Sequence, residues 1–165
     1  MNKKRVLIFD TSILCCWMQI PGKDTCGPDD DTWDYERISK LIKEEEDKAI
    51  FVLPVATIIE TGNHIAQCSG NRYDLAKALA DKMYDSANEQ TPWAAFGHQS
   101  ELWNADEISE LATEWPALAA QGLGIGDATI KNVADYYAKT GTYSVTILTG
   151  DQGLKSYEPR VKPVE

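Results

Sequence analysis

The chain has 165 residues, 43% of them hydrophobic, which suits one domain with a sizeable core spanning residues 1–165. Its 26 acidic residues against 16 basic ones leave a formal charge of −10, which argues against non-specific binding of nucleic acid or anionic membrane by the surface as a whole. No apolar run approaches the ~20 residues that cross a bilayer, and the start MNKKRVLIFD meets Asp10 too early for the apolar core of a signal peptide.

In chain order, Val6 to Phe9 is a continuous apolar run bounded by charge, the pattern of a central parallel strand buried on both faces. Thr11 or Ser12 can cap a short helix over Ser12–Ile20, ended by Pro21-Gly22. Residues 21–33 form a polar loop rich in Gly, Pro and Asp, and an amphipathic helix follows over Asp34–Asp47 with Ile38, Leu41 and Ile42 inward. A second buried strand covers Ala49–Leu53. Pro54 then opens a helix over Val55–Gln67, with Ile58, Ile59, Gly62 and Ile65 at helical spacing. Another helix, Arg72–Asn88, carries Leu75, Leu79 and Met83.

Glu89–Gln99 reads as a loop, and Glu101–Leu118 as helix with breaks, because Pro116 interrupts the pattern. Gly122, Gly124 and Gly126 predict a flexible turn before a helix over Asp127–Lys139. Tyr143–Leu148 is strongly β-prone. A short helix or turn near Gln152–Tyr157 and a last strand over Arg160–Val164 complete the chain. Together these elements predict a three-layer α/β/α sandwich with a small, mostly parallel sheet.

An acidic residue stands beside each of four apolar segments: Asp10 after RVLIF, Glu60 in LPVATIIET, Asp127 before ATIKNV, and Asp151 after YSVTILTG. In open parallel sheets ligands bind beyond the carboxyl ends of the strands, and these positions can converge there. Carboxylates crowded together raise one another's pKa unless a cation joins them. Mg²⁺ or Mn²⁺ suits an all-oxygen set, and no His or Cys cluster points to zinc. Such a site lowers the pKa of water and stabilises a leaving oxygen, which leads to in-line hydrolysis of a phosphodiester. Each acid also has an ordinary reading. Asp127 serves as an N-cap, Asp10 as an Asx-type cap, Asp151 as a turn residue and Glu60 as a solvated helix position.

FDTSIL (9–14), PVATIIE (54–60), GDATI (126–130) and LTGD (148–151) together resemble the four signatures of PIN-domain ribonucleases, in order and across residues 5–156. The resemblance implies a metal-dependent endoribonuclease with Asp10, Glu60, Asp127 and Asp151 around Mg²⁺ or Mn²⁺. It further implies that the hydroxyls of Thr11, Ser12 and Thr149 support the carboxylates or bind the scissile phosphate. A role as the toxin of a toxin–antitoxin pair, with an antitoxin or other regulatory protein and a second copy as partners, follows from the same likeness. The loop at 21–33, with Asp29, Asp30 and Asp31, and the stretch 90–122, with Trp93, Trp103 and Trp115, exceed what a minimal member needs. A non-catalytic interaction module of the same fold and a structure-specific DNA nuclease are the alternatives.

Among other residues, Lys131 is a candidate for neutralising phosphate, His64 for contacting the site one turn after Glu60, and Asn63 for orienting it. Trp93 and Trp103 are candidates for stacking on a base. Lys3, Lys4 and Arg5 with Lys155, Arg160 and Lys162 form a basic strip for an RNA backbone if the chain ends meet. GLGIGD has the wrong spacing for a dinucleotide loop. Cys15, Cys16, Cys26 and Cys68 form no CxxC pair, so a reduced, cytoplasmic setting is expected, with Cys15 and Cys16 as buried helix residues.

Overall fold

The computed structural model describes residues 2–160. Strand β1 (Lys4–Phe9) lies between β2 (Ala49–Val52) and β3 (Tyr143–Leu148), and both neighbours run parallel to it. Val6, Leu7, Ile8 and Phe9 are each fully buried, because the central strand has helices over both faces. Side chains alternate along the strand. Leu7 and Phe9 therefore pack into one core with Ile13, Leu14, Ile38 and Phe51, and Val6 and Ile8 into another with Ile130, Val133 and Ile147.

The first core takes its helical side from α1 (Thr11–Trp17) and α2 (Tyr35–Glu45), with Leu79 of α4 (Arg72–Ala87) beyond them. The second is covered by α7 (Ile125–Lys139) and closed by Leu154 of α8 (Gln152–Lys155). Helix α3 (Val55–Gln67) serves both, through Ile65 and Ala56. Its fully buried Thr57 donates a hydrogen bond to the Phe9 carbonyl at 2.7 Å, which sets the helix in register with the end of β1. Short α5 (Gly97–Ser100), a 3₁₀ turn (Glu101–Trp103) and α6 (Ala105–Ala120) lie between α4 and α7. The class is mixed α/β with a small parallel sheet, as the sequence pattern predicts.

A three-stranded sheet has two exposed edges to manage. The segment predicted as a loop after α4 covers the first: Phe51 N–H donates to the Pro92 carbonyl and Ala94 N–H to the Phe51 carbonyl, both at 2.9 Å. At the second edge, Glu158 accepts from Ile147 N–H at 2.8 Å and Lys155 donates to the Ile147 carbonyl at 3.0 Å. Arg5, at the start of β1, pairs with the buried Glu45 of α2.

Several expectations need correction. Helix α6 runs unbroken through Pro116, because Pro116 and Ala112, whose carbonyl loses its partner, both face solvent. Helix α1 stops at Trp17, and α7 begins at Ile125, two residues before Asp127. Ile59 and Met83 point outward, at 58% and 40% exposure. Trp93 does not stack at the surface: it is a core residue, with ring centroids 5.5 Å from Phe9 and 5.6 Å from Phe51. Arg160 belongs to no strand; the rest of the last predicted strand, and Lys162 with it, lies outside the described residues. Among the described residues no helix is long and apolar enough to cross a membrane.

Trp93 thus joins the aromatic core to the cover of the β2 edge. Trp93→Ala is expected to cost ~3–5 kcal/mol of unfolding free energy, measured by urea denaturation. A loss below about 1 kcal/mol would contradict this packing role.

Candidate functional site

Where β1 ends, Asp10 N–H donates to the Leu148 carbonyl at 3.0 Å, carrying the pairing with β3 past the last strand residue. The side chain of Asp10 is only 5% exposed. Its Oδ2 accepts two hydroxyl protons, from Ser12 at 2.9 Å and Thr149 at 2.7 Å. Each hydroxyl in turn accepts a backbone N–H from the turn after β3: Gly150 to Ser12 at 3.0 Å and Asp151 to Thr149 at 2.9 Å. A hydroxyl has one proton, so accepting from an amide on one side aims that proton at Asp10 on the other. Oδ1 is left uncommitted.

Helix α3 carries Glu60 to the same rim, one turn beyond the Thr57 anchor. Thr11 Oγ1 donates to Glu60 Oε2 at 2.9 Å. Glu60 Oε1 lies against Gly126 so closely that a Cβ there would displace the carboxylate, so glycine at this position lets Glu60 keep its place. Asp151 is the N-cap of α8, its Oδ1 accepting from Gly153 N–H at 2.8 Å and Leu154 N–H at 3.3 Å. Its turn-residue reading therefore holds, and the residue also lines the cavity described below. Asp10 occupies the N-cap position of α1 without a capping hydrogen bond, its side chain being engaged by the two hydroxyls.

Asp127 is the third residue of α7, not its cap, which is Gly124. Its carboxyl is pushed from 3.8 up to about 7, first by burial and then by the charges of Asp10, Asp151 and Glu60. A helix N-terminus favours a negative charge by only ~0.3–1 kcal/mol, so burial and like charge win.

Asp10, Glu60, Asp127 and Asp151 line one cavity of about 630 Å³. Thr11, Ser12 and His64 line it too. Asn63 is exposed and does not line it. Lys131 does not reach it either; it pairs with Asp135 at 2.8 Å and faces the recess between α6 and α7, because one turn along α7 points it toward α6. Of the basic strip, Lys162 lies outside the described residues, and the described members lie away from the acids or have carboxylate partners. Lys3 and Arg160 line a recess with Tyr143 and Val145, toward the amino ends of the strands, whereas Arg5 and Lys155 are committed to Glu45 and Glu158. Trp103, 44% exposed, lies by a separate small recess with Pro54 and Val133.

The loop at 21–33 is a wall of the cavity, bringing Lys23, Thr25 and Cys26 to it. Cys26 and Trp33 pair antiparallel, with hydrogen bonds of 3.1 and 2.8 Å. Arg37 stacks 3.5 Å over the Trp33 ring and pairs with Asp31 at 2.8 Å. Gly150 abuts this strap, since a Cβ there would lie 2.6 Å from Gly27 N. The charged loop signalled solvent in the sequence. Only the apolar Ile20 before Pro21-Gly22, and Trp33 at the far end, hinted at an ordered strap. Burial pushes the Cys15 thiol up to about 11 and the Cys16 thiol up to about 12, so these groups stay protonated at neutral pH and supply no thiolate nucleophile.

Among the described residues, no three His, Cys, Asp or Glu side chains stand close enough to grip a metal ion directly. The four-carboxylate set around the raised Asp127 is nevertheless all oxygen, with Cys15, Cys26 and His64 lining the same cavity. It fits a hard divalent ion that keeps part of its water shell.

The raised pKa has a measurable sign. The folded chain holds the Asp127 proton more firmly than the unfolded one, so the stability this gives is complete below pH ~4 and is lost as pH climbs through about 7. In chelator-treated protein, Asp127→Asn is expected to raise the Tm by roughly 5 °C at pH 8 and far less at pH 4. An equal effect at both values would show that Asp127 ionises normally.

None of the protein-family models, curated proteins or solved structures compared with the chain matches it.

Proposed function

We propose that this chain is a PIN-like, Mg²⁺- or Mn²⁺-dependent endoribonuclease. The observation that carries the reading is the meeting of Asp10, Glu60, Asp127 and Asp151, from four separate segments, in one cavity at the carboxyl ends of the strands. Asp10, Asp127 and Asp151 would hold the ion, largely through water, and Glu60 would complete the set. The ion would neutralise phosphate oxygens and make water more acidic.

The chain's own residues do the rest. The Ser12 and Thr149 hydroxyls orient Asp10 through Oδ2, and Oδ1 would be the oxygen available to the ion or its water. Glu60, gripped by Thr11 on one oxygen and backed by Gly126 on the other, has little freedom to swing. It is suited to orient the attacking water and take its proton. As water adds to phosphorus, the bond to the leaving ribose oxygen breaks, and that oxygen takes up a proton.

An interaction module is the second reading, favoured by the lack, among the described residues, of three donors close enough for direct coordination. A role as toxin, with an antitoxin or a second copy as partner, belongs to the proposal as its biological setting.

Total RNA incubated with the protein and Mn²⁺ is expected to yield fragments with defined ends, and a chelator to stop their appearance. Asp10→Asn should fold and show no cleavage, while Thr149→Val should lose roughly 10–100-fold in activity through a loosened Asp10. Undiminished cleavage by folded Asp10→Asn would overturn the assignment. Running single-stranded and branched DNA beside the RNA decides between the two nuclease substrates.

A further inference from the structure

Lys23 is the one lysine or arginine among the described residues lining the acid cavity. Among the described residues it makes no ion pair, whereas Arg5, Arg37, Lys131 and Lys155 each have a carboxylate partner. Its backbone is held on both sides. Upstream, the buried Ile20 anchors a turn in which Pro21 and Gly22 are central, Gly22 has φ +83°, and Lys23 N–H donates to the Ile20 carbonyl at 2.9 Å. Downstream, the Cys26–Trp33 pairing and Arg37 stacked on Trp33 close the strap. The base of the side chain is thus set at the cavity while its ammonium stays free.

A cavity with four carboxylates repels a polyanion, and even a divalent ion neutralises only part of that charge. The phosphates flanking the scissile one need a cation of their own. Lys131, Lys3 and Arg160 do not supply it, since they line other recesses. We propose that Lys23 is the phosphate-positioning residue of this site, its ammonium holding a backbone phosphate next to the scissile one. The proposal rests on the nuclease reading above. The strap at 21–33 then acts as a clamp on the substrate backbone, and Lys23 sets affinity without entering the bond-breaking step.

The test uses the full chain and a labelled 12-nucleotide single-stranded RNA in two assays. By anisotropy, Lys23→Met should weaken binding roughly tenfold and reduce the slope of log affinity against log salt by about one, with Lys23→Arg restoring both. In Mn²⁺-dependent cleavage, Lys23→Met should raise KM and leave kcat within about twofold. Wild-type cleavage with unchanged KM and salt slope in Lys23→Met would overturn the role of Lys23 and leave the nuclease reading intact. Absence of wild-type cleavage, with binding still dependent on Lys23, would overturn the nuclease reading and leave Lys23 as the backbone holder. No binding by wild type, or a kcat collapse in folded Lys23→Met, would also overturn the proposal.

Discussion

The organisation of this molecule depends on how it keeps a buried carboxylate at the end of its central strand. Asp10 is 5% exposed, and burying an anion is costly unless hydrogen bonds surround it. Ser12 and Thr149 meet that demand, and each is oriented by an amide of the turn after β3. One carboxylate oxygen thereby ties β1, α1 and the β3–α8 turn together. Because β3 lies far from β1 in sequence, this junction is made only when the parallel sheet has closed.

The other acids follow from that junction. Thr11 follows Asp10 in sequence, and its hydroxyl reaches Glu60 on α3. Glu60 lies against Gly126, which brings the first turn of α7 and its Asp127 to the rim. The raised pKa of Asp127 follows from its burial first and then from the charges of Asp10, Asp151 and Glu60 gathered beside it. Elsewhere the partly buried carboxylates Glu45 and Glu158 are paired with Arg5 and Lys155, whereas the four acids of the cavity are gathered at this one rim.

Much of this was legible in the residues themselves. The three strands and the long helices follow from apolar runs and helical spacing, and α3 runs from Val55 to Gln67 as that spacing predicts. The four acids stood out because each interrupts or borders an apolar segment. Pro116 misled because proline is read as a breaker, and its tolerance depends on which side of α6 faces solvent. Trp93 misled because its neighbours are loop-like; its burial depends on Phe9 and Phe51, distant in sequence.

Lys131 and Lys23 mark the boundary. Lys131 stood one turn after Asp127 and seemed the natural cation, yet a single turn of α7 aims it at Asp135 and α6. Lys23 sat in a polar loop with nothing to single it out, and the Cys26–Trp33 strap brings it to the acids. The sequence by itself determined the α/β class, the strands and the identities of the four acids, since hydrophobic periodicity and local chemistry are properties of neighbours along the chain. Tertiary structure alone decided which hydroxyl braces which carboxylate, which cation faces the cavity and how far Asp127 departs from an ordinary acid. Those depend on distances between segments up to 139 residues apart, as between Thr149 and Asp10, and on the burial that their packing creates.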